Sequence, residues 1–245
     1  MKLHVIGSSS KGNSYLFQGK DESLVIEAGC KVKGIKQALD FNLAPLRGVL
    51  VSHSHLDHSR YAPEFAENGI KVHALPETLA VMDIAKHHNS VPVKTGMAFW
   101  IGGFHVLAFN VVHDVPTLGY LVKHHESGKF CFLTDTHYSE YKFNGLNNII
   151  IEANYSEKII QQRLEQGSID HAYYRRVAQS HMSLETAMRF FMANDLSAVN
   201  NIVLIHLSDG NSDAPMFHRE VTALTGKAVH IADKGMIINF DKYPF

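Results

Sequence analysis

The chain has 245 residues, enough for one sizeable domain with a full hydrophobic core or at most two small ones. Apolar residues make up 45% of it and charged residues 19%, which is typical of a globular protein and excludes a disordered chain. The formal net charge of −1 provides no global basic field, so any contact with nucleic acid must be local.

The sequence carries no sign of export or of a second domain. No apolar run approaches the length of a membrane span, and the start from Met1 to Gly7 is too short and too strand-like for a signal peptide. Two cysteines, Cys30 and Cys131, give no disulfide framework. We therefore expect a cytoplasmic protein with both thiols unpaired. No repeat, low-complexity tract or linker divides the chain, so residues 1–245 are predicted to form a single domain.

Short strands alternate with tight turns in the N-terminal third. Apolar runs at residues 3–6, 15–18 and 24–27 are separated by Gly, Ser, Asn and Lys, which predicts three strands. The loop GSSSKGNS at residues 7–14 lacks the GxxxxGK[ST] spacing of a P-loop and leads into a strand instead of a helix. We predict a hairpin turn whose backbone amides could help to hold an anionic substrate. A helix over residues 32–41 follows.

The stretch from Ser52 to His58 carries the strongest chemical signal. It follows an apolar run at residues 48–51, which predicts a short buried strand. On an extended backbone His53 and His55 point the same way, and a turn into a helix would bring Asp57 and His58 to the same point from the other side. One loop could therefore supply ligands to two adjacent metal ions. Imidazole and carboxylate without thiolate suit zinc, and also manganese or iron(II). A merely solvated loop accounts poorly for four ligand-type residues at the end of a buried strand.

The rest of the chain predicts two packed sheets with helices outside. We expect strands at residues 70–73, 97–101, 104–112, 119–123, 130–133, 149–152, 229–231 and 236–240. Helices are predicted over residues 76–86, 156–166, around 173–177, from 183 to about 194, and over 214–224. The histidine pairs at 87–88 and 124–125 are predicted to lie on the surface.

Two of these strands, and a further apolar strand at Leu204-Ile205, finish on one ligand-type residue each. The residues are His113, Asp135 and His206. A lone histidine at a strand end is more often a satisfied core residue than a ligand. Three such endings, together with the stretch at 52–58, form a constellation that predicts a metal centre.

The stretch Ser52-His53-Ser54-His55-Leu56-Asp57-His58 resembles the HxHxDH signature of the metallo-β-lactamase-fold hydrolases. The resemblance implies an αββα sandwich, in which two mixed β-sheets pack face to face with helices outside, and two divalent metal ions, zinc first and manganese or iron as alternatives. It assigns to the first metal His53, His55 and His113. It assigns to the second Asp57, His58 and His206, with Asp135 bridging. Paired ions would supply hydroxide at neutral pH and leave a net positive charge that attracts an anionic ester. Glu27, where the family usually has Asp, would support the metal loop.

The segment after Asp135 resembles a narrower group. A histidine two residues before a Ser or Thr that opens a helix, His181 here, is similar to tRNase Z and related nucleases. With GSSSKGNSYL, RRV, SHMSLETA and HLSDGN, the chain resembles the YycJ/WalJ-type branch, which is regarded as DNA-directed phosphodiesterases. This implies an exonuclease-like phosphodiesterase that cleaves DNA, RNA or a nucleotide. The catalytic residues would be Asp57, Asp135 and His181, and the substrate contacts would be Arg175, Arg176 and Ser183.

The helix that begins after Ser183 affects how both Ser183 and His181 are interpreted. Ser183 is also a good N-cap for the helix that follows it. His181 lies just before that helix, whose dipole is expected to disfavour a protonated imidazole. An anionic phosphate at the cluster would favour the charged form.

Other activities of the same fold remain open from the sequence. They are hydrolysis of a lactone, β-lactam or thioester, and cleavage of a cyclic nucleotide. Lactone and thioester relatives do not need the His-x-Ser at His181. A di-iron oxygen-reducing protein commonly has Glu where this chain has His55, and depends on a flavin domain. A metal-stiffened binding module is the non-enzymatic alternative, which the complete ligand set argues against.

Overall fold

Two mixed sheets of seven strands each form the centre of the molecule, in a computed structural model that describes residues 1–244. The first sheet contains β1 (Lys2–Gly7), β2 (Ser14–Gln18), β3 (Ser23–Ile26), β4 (Leu46–Leu50), β5 (Val72–Ala74) and β6 (Ser90–Pro92) in that order, with β14 (Ile237–Asn239) beside β1. The second contains β7 (Ala98–Ile101), β8 (Phe104–Val111), β9 (Thr117–His124), β10 (Gly128–Leu133), β11 (Asn148–Glu152), β12 (Asn201–Ile205) and β13 (Ala228–Ile231), also in chain order.

Each sheet has an antiparallel half and a parallel half. The strands β14 to β3 are antiparallel, whereas β3 to β6 run parallel. In the second sheet β7 to β10 are antiparallel and β10 to β13 are parallel. The carboxyl ends of parallel strands meet at one edge of a sheet, which is where side chains from separate parts of a sequence come together.

Helices cover the outer faces of both sheets. Their bounds are α1 (Val32–Ala38), α2 (Leu56–Ser59), α3 (Ala62–Glu67), α4 (Pro76–Val81), α5 (Glu157–Glu165), α6 (His171–Ser180), α7 (Leu184–Ala193) and α8 (Ala214–Thr225). One apolar cluster joins α1, α3 and α4 to the first sheet, and another joins α7 and α8 to the second. The αββα arrangement predicted from the sequence is therefore confirmed. Among residues 1–244, no helix combines the length and the apolar character that a membrane crossing requires.

The main core lies between the two sheets and follows the two-residue period of the strands. Phe17 of β2 and Phe130 of β10 face inwards, and their rings stack with centroids 4.7 Å apart. Their neighbours Leu16 and Cys131 face the outer helix layers instead. Cys30 and Cys131 are both free thiols.

Two predicted helices are shorter than the sequence suggested. The helix predicted over residues 32–41 ends at Ala38, because Asp40 and Phe41 have left-handed φ values of 49° and 61°. The helix predicted over residues 76–86 ends at Val81, and Asp83 has a φ of 56°. A left-handed residue cannot continue a right-handed helix, and apolar periodicity does not reveal where the chain turns back.

The prediction of a surface position for His124 is wrong. Its side chain is buried at the end of β9, where the ring stacks on Phe104 with centroids 4.3 Å apart. Its Nε2 lies 3.0 Å from Oε1 of Glu22, which supplies the hydrogen-bond partner that a buried imidazole needs. His125 is exposed as expected. The paired histidines therefore alternate across a strand end instead of sharing one surface.

Candidate metal centre

The loop after β4 presents its ligand-type residues in two directions. The backbone is still extended at His55, with φ −61° and ψ 141°, and α2 begins at the next residue. Asp57 and His58 therefore belong to the first turn of a helix, whereas His53 and His55 precede it. The change from strand period to helix period lets consecutive positions converge from two sides.

The first group of ligand-type residues joins this loop to the second sheet. It contains His53, His55, His113 and Asp135, whose ligand atoms all lie within 4.8 Å of one another. His113 Nε2 is 3.2 Å from His55 Nδ1, and His53 Nε2 is 3.2 Å from Asp135 Oδ2. His53 and Asp135 are buried.

The second group contains Asp57, His58 and His206, again with ligand atoms within 4.8 Å of one another. Asp57 Oδ2 lies 3.3 Å from Nε2 of His58 and from Nε2 of His206. Asp135 touches this group as well, because its Oδ2 is 2.9 Å from His58 Nε2 and its Oδ1 is 2.8 Å from His206 Nδ1. One carboxylate thus lies between the two groups.

Three carboxyl ends of parallel strands supply the groups around Asp135. Asp135 follows β10, Glu152 ends β11 and His206 follows β12. Asp135 and His206 have left-handed φ values of 46° and 56°, a conformation that costs free energy in residues other than glycine. The chain therefore leaves the sheet abruptly at these two positions, and strain of this kind tends to mark functional sites.

Glu27 supports the metal loop from β3, as the resemblance implied. It is fully buried, its Oε2 accepts a hydrogen bond from the backbone N–H of Ser52 at 3.3 Å, and its Oε1 is 3.5 Å from His58 Nδ1. Two residues later Gly29 passes so close to the loop that a Cβ there would overlap with the carbonyl oxygen of Asp57. Position 29 therefore requires glycine.

Glu152 was not among the site residues predicted from the sequence. This carboxylate is fully buried, and its Oε1 lies 2.8 Å from His181 Nδ1 and 2.9 Å from His206 Nδ1. Its Oε2 accepts a hydrogen bond from the backbone N–H of Met182 at 3.1 Å. The signal was present in the sequence, because three isoleucines ending on a carboxylate follow the same pattern as the strands that end at Asp135 and His206.

His181 lies at the end of α6, where it is the C-cap, and two residues before the N-cap of α7. Burial disfavours its charged form, but the charge of Glu152 outweighs burial and, with Asp135, raises the pKa of His181 to about 9. The helix dipole was expected to disfavour protonation. The two carboxylates are closer and stronger than the dipole of α7, and the C-terminal end of α6 favours a cation.

Burial and neighbouring charges shift the pKa values of the ligand-type residues in different directions. Burial lowers the pKa of His53 to about 3, so this imidazole is neutral and has a lone pair to offer. Burial also opposes the charged form of His58 and His206, but Asp135 holds the pKa of both well above the ordinary value. Although burial works against ionisation of Asp135, the same two imidazoles keep its pKa well below its usual range.

The donor set fits divalent metal ions. Nε2 of His53 and Nε2 of His206 are buried and make no hydrogen bond of proper geometry among residues 1–244, although carboxylate oxygens of Asp135 and Asp57 lie 3.2 and 3.3 Å from them. Buried polar atoms are rarely left without a partner, so an ion is the natural complement to these nitrogens. The set contains imidazole and carboxylate groups and no thiolate, which suits zinc, manganese or iron(II).

A cavity of about 560 Å³ opens over both groups. Its lining includes the ligand-type residues His55, Asp57, His113, Asp135 and His206, together with His181. On the side of α5 and α6 it is lined by Arg163, Tyr173 and Arg176. Arg163 was not foreseen, because a single arginine in the amphipathic helix α5 has no distinguishing pattern in the sequence.

The three residues predicted to contact the substrate differ in whether they line the cavity. Arg176 lines the cavity, whereas Arg175 and Ser183 are not among its lining residues. Arg175 donates from Nε to the carbonyl oxygen of His171 at 3.4 Å. Ser183 is buried and caps α7, since its hydroxyl accepts from the backbone N–H of Thr186 at 3.0 Å.

Residues 9–149 match the family model of the metallo-beta-lactamase superfamily, which is more than half of the sequence. The chain belongs to this superfamily, as its resemblance at residues 52–58 predicted.

Among curated proteins, the chain is similar to the exodeoxyribonuclease WalJ of Streptococcus pneumoniae serotype 2 (strain D39 / NCTC 7466), with 25% identity over 258 residues that cover 99% of this chain and 93% of that protein. It is also similar to the exodeoxyribonuclease YycJ of Bacillus anthracis, with 27% identity over 232 residues that cover 86% and 85% of the two chains.

Solved structures show the same fold. The metallo-beta-lactamase fold protein YhfI from Bacillus subtilis superposes with a TM-score of 0.74 at 17% identity, covering 97% of this chain and 98% of that one. The short form of human tRNase Z superposes with a TM-score of 0.63 at 16% identity, covering 97% and 98%. At these identities the likeness concerns the fold alone.

Proposed function

We propose that this protein is a metal-dependent nuclease that holds two divalent ions and hydrolyses phosphodiester bonds of DNA. The observation that carries the proposal is the placement of His181 and Glu152. His181 lines the cavity beside two ligand groups that Asp135 connects, and the buried Glu152 lies behind it, 2.8 Å from its Nδ1. The curated relatives, both named exodeoxyribonucleases, support DNA as the substrate.

The first ion would be held by His53, His55, His113 and Asp135, and the second by Asp57, His58, His206 and Asp135. Divalent ions in such a centre act as Lewis acids and lower the pKa of a coordinated water towards neutrality. Asp57 and Asp135 contribute negative charge that offsets part of the charge of the ions, and leave the cavity attractive to a phosphate ester.

His181 would hold the proton that the departing oxygen needs. Its Nδ1 faces Glu152 at 2.8 Å, so Nε2 is the nitrogen left to act on the substrate. In the metal-free chain Glu152 and Asp135 raise the pKa of His181 to about 9, and Glu152, which holds no ion in this scheme, would still favour the charged form that a general acid requires when ions are bound. Glu152 is a positioning residue, because it fixes the ring of His181 and keeps it charged.

The same pair favours a phosphodiester over a thioester. The oxygen that departs from a nucleotide is a poor leaving group until it gains a proton, so a protonated imidazole at the cavity has a clear use. Thioester hydrolysis releases a thiolate, which needs no such acid because thiols ionise near pH 8.5.

A substrate screen on metal-loaded protein tests the proposal. It should contain single-stranded and double-stranded DNA, RNA, a cyclic nucleotide, a chromogenic phosphodiester, a lactone and a thioester. We expect metal-dependent turnover of DNA and of the chromogenic phosphodiester. Asp135→Asn, which keeps the size of the side chain, should abolish it, whereas His88→Ala at the surface should not. Turnover of only the lactone or the thioester would refute the proposed function.

A further inference from the structure

We propose that Arg163 and Arg176 form a subsite for a second phosphate group, next to the phosphodiester that is cleaved. The preferred substrate would therefore carry a further phosphate, either as a terminal phosphomonoester or as the adjacent diester of a longer strand. This deepens the proposed nuclease activity and rests on it.

The two arginines share the cavity with the metal-ligand groups. Arg163 lies on α5 and Arg176 on α6, the first two of the three helices between β11 and β12. A separate apolar cluster that includes Tyr155, Ile160 and Val177 packs these helices beside the cavity. Both guanidinium groups therefore belong to the same wall of the cavity.

Arg163 is held in place by a chain of hydrogen bonds. Its Nη1 donates to Asn211 Oδ1 at 2.6 Å and to the carbonyl oxygen of Gly210 at 3.1 Å. Asn211 is fully buried, and its Nδ2 donates to the hydroxyl of Tyr173 at 2.9 Å. One edge of the guanidinium is thus occupied by these contacts, and its other N–H groups remain for a ligand.

Arg176 is attached to the same chain through Tyr173. The carbon at the centre of its guanidinium lies 5.3 Å from the centroid of the tyrosine ring, within the range of a cation–π interaction. No hydrogen bond within residues 1–244 occupies the N–H edges of this guanidinium. Those edges match a phosphate in a bidentate fashion.

Neither guanidinium is neutralised by a neighbour. Within residues 1–244 no carboxylate lies within ion-pair distance of Arg163 or Arg176, whereas Arg47 pairs with Glu22 and Arg189 lies 3.7 Å from Glu157. Two unpaired and positioned cations beside a cavity for a phosphodiester are suited to an additional phosphate.

The size of the cavity limits how far the second phosphate can be from the first. Cavities that bind small molecules measure roughly 300–1,000 Å³, and this one measures about 560 Å³. It can accommodate about one nucleotide, so the second phosphate would be the immediate neighbour of the scissile one.

Short thymidine nucleotides test the subsite on metal-loaded protein. The dinucleotide with a single phosphate serves as the reference. It is compared with dinucleotides bearing an additional 5′ or 3′ terminal phosphate, and with the trinucleotide that has a second diester. We expect at least one of the doubly phosphorylated substrates to be preferred, mainly through a lower KM. The terminal and trinucleotide arms show which source supplies the second phosphate.

Arg176→Gln is the decisive variant, because Arg176 is an exposed side chain on α6. It should lose about tenfold or more in kcat/KM for the preferred substrate and little for the reference dinucleotide. Arg163→Lys keeps the positive charge but lacks the planar guanidinium, and should lose part of the preference for the doubly phosphorylated substrate. Arg175→Gln makes the same change of charge one residue earlier, outside the cavity lining, and serves as the matched control. Equilibrium binding of the preferred dinucleotide to chelator-treated protein should weaken in Arg176→Gln and not in Arg175→Gln.

The outcomes separate the two proposals. If wild-type protein hydrolyses all of these nucleotides equally well, or if Arg176→Gln keeps the preference, the subsite is refuted and the nuclease activity stands. An equal loss in Arg175→Gln would show a general effect of charge and would also refute the subsite. If none of the nucleotides is hydrolysed, the proposed function itself fails.

Discussion

Glu152 is hydrogen-bonded to two imidazoles of the site. It contacts His206 and His181, and these two imidazoles form, with Asp135 and Glu152 itself, a further group whose ligand atoms lie within 4.8 Å of one another. A carboxylate shared in this way fixes the tautomer and orientation of both rings. In the proposed function His206 would hold an ion, whereas His181 would act on the substrate.

The variant His181→Ala should separate these roles. We expect it to keep its metal content and its fold but to lose phosphodiester turnover by on the order of a hundredfold or more, since that is the usual contribution of a general acid. The measurement is kcat together with metal analysis of the same preparation. Near-normal turnover, or the loss of an ion, would show that His181 has a different role.

His73 predicts a dependence of stability on pH that is independent of the metal centre. Both of its ring nitrogens are buried without a hydrogen-bond partner within residues 1–244, and burial lowers its pKa to about 4. The unfolded chain binds this proton near pH 6.5, so stability is lost as the pH falls from there towards 4, by about 3 kcal/mol at most.

Urea unfolding of wild-type protein and His73→Met between pH 7 and pH 4 checks this. The variant should lose less stability over that interval, because it has no imidazole to protonate. His88→Met, at an exposed position, should behave like the wild type. Parallel pH profiles for wild type and His73→Met would contradict the explanation.

The ligand-type residues were predictable from the sequence, but the other residues that line the cavity were not. His53, His55, Asp57 and His58 stand in one short stretch, and His113, Asp135 and His206 end apolar strands, so pattern alone picked out all seven. Whether a polar residue lies in a cavity depends on which elements pack against it. Arg175 and Arg176 are indistinguishable in sequence, yet only Arg176 lines the cavity.

The strand ends are the elements that assemble the site. Parallel pairing of β10, β11 and β12 brings Asp135, Glu152 and His206 to one edge, although they are far apart in the sequence. Apolar runs predicted every strand except the short β6, but they did not predict the pairing order. Helix ends were misjudged where Asp40 and Asp83 turn left-handed, because no Gly or Pro marks either position.

Ser183→Ala tests whether Ser183 serves the helix or the substrate. Its hydroxyl caps α7 by accepting from the backbone N–H of Thr186, so the variant should lose about 1 kcal/mol of stability. KM should stay unchanged, because Ser183 does not line the cavity. Thermal unfolding and steady-state kinetics measure the two effects. Unchanged stability with a raised KM would assign the residue to the substrate.

The site joins the two sheets of the molecule. The loop after β4 in the first sheet supplies His53, His55, Asp57 and His58, and segments after strands of the second sheet supply the other ligand-type residues. An ion held from both sides would bind the folded chain and not the unfolded one. Such a ligand at a hundred times its Kd stabilises the fold by about 2.7 kcal/mol.

Removal of metal by a chelator should therefore lower the melting temperature. We expect a decrease of several degrees, reversed by adding zinc or manganese, because one kcal/mol corresponds to about 2–4 °C in a chain of this size. Calorimetry on His53→Ala, which lacks one ligand, should show a smaller difference between chelated and metal-loaded protein. Identical melting curves with and without metal would argue against a shared site.

Metal titration of turnover tests the central claim most directly. Chelator-treated protein is supplied with increasing zinc or manganese, and hydrolysis of single-stranded DNA is measured against bound metal. A centre built from two ligand groups that share Asp135 predicts activity that is absent without metal, rises with binding and reaches its plateau near two ions per chain, with Asp135→Asn inactive throughout. Full DNA hydrolysis by metal-free protein, or none at any metal content, would contradict it.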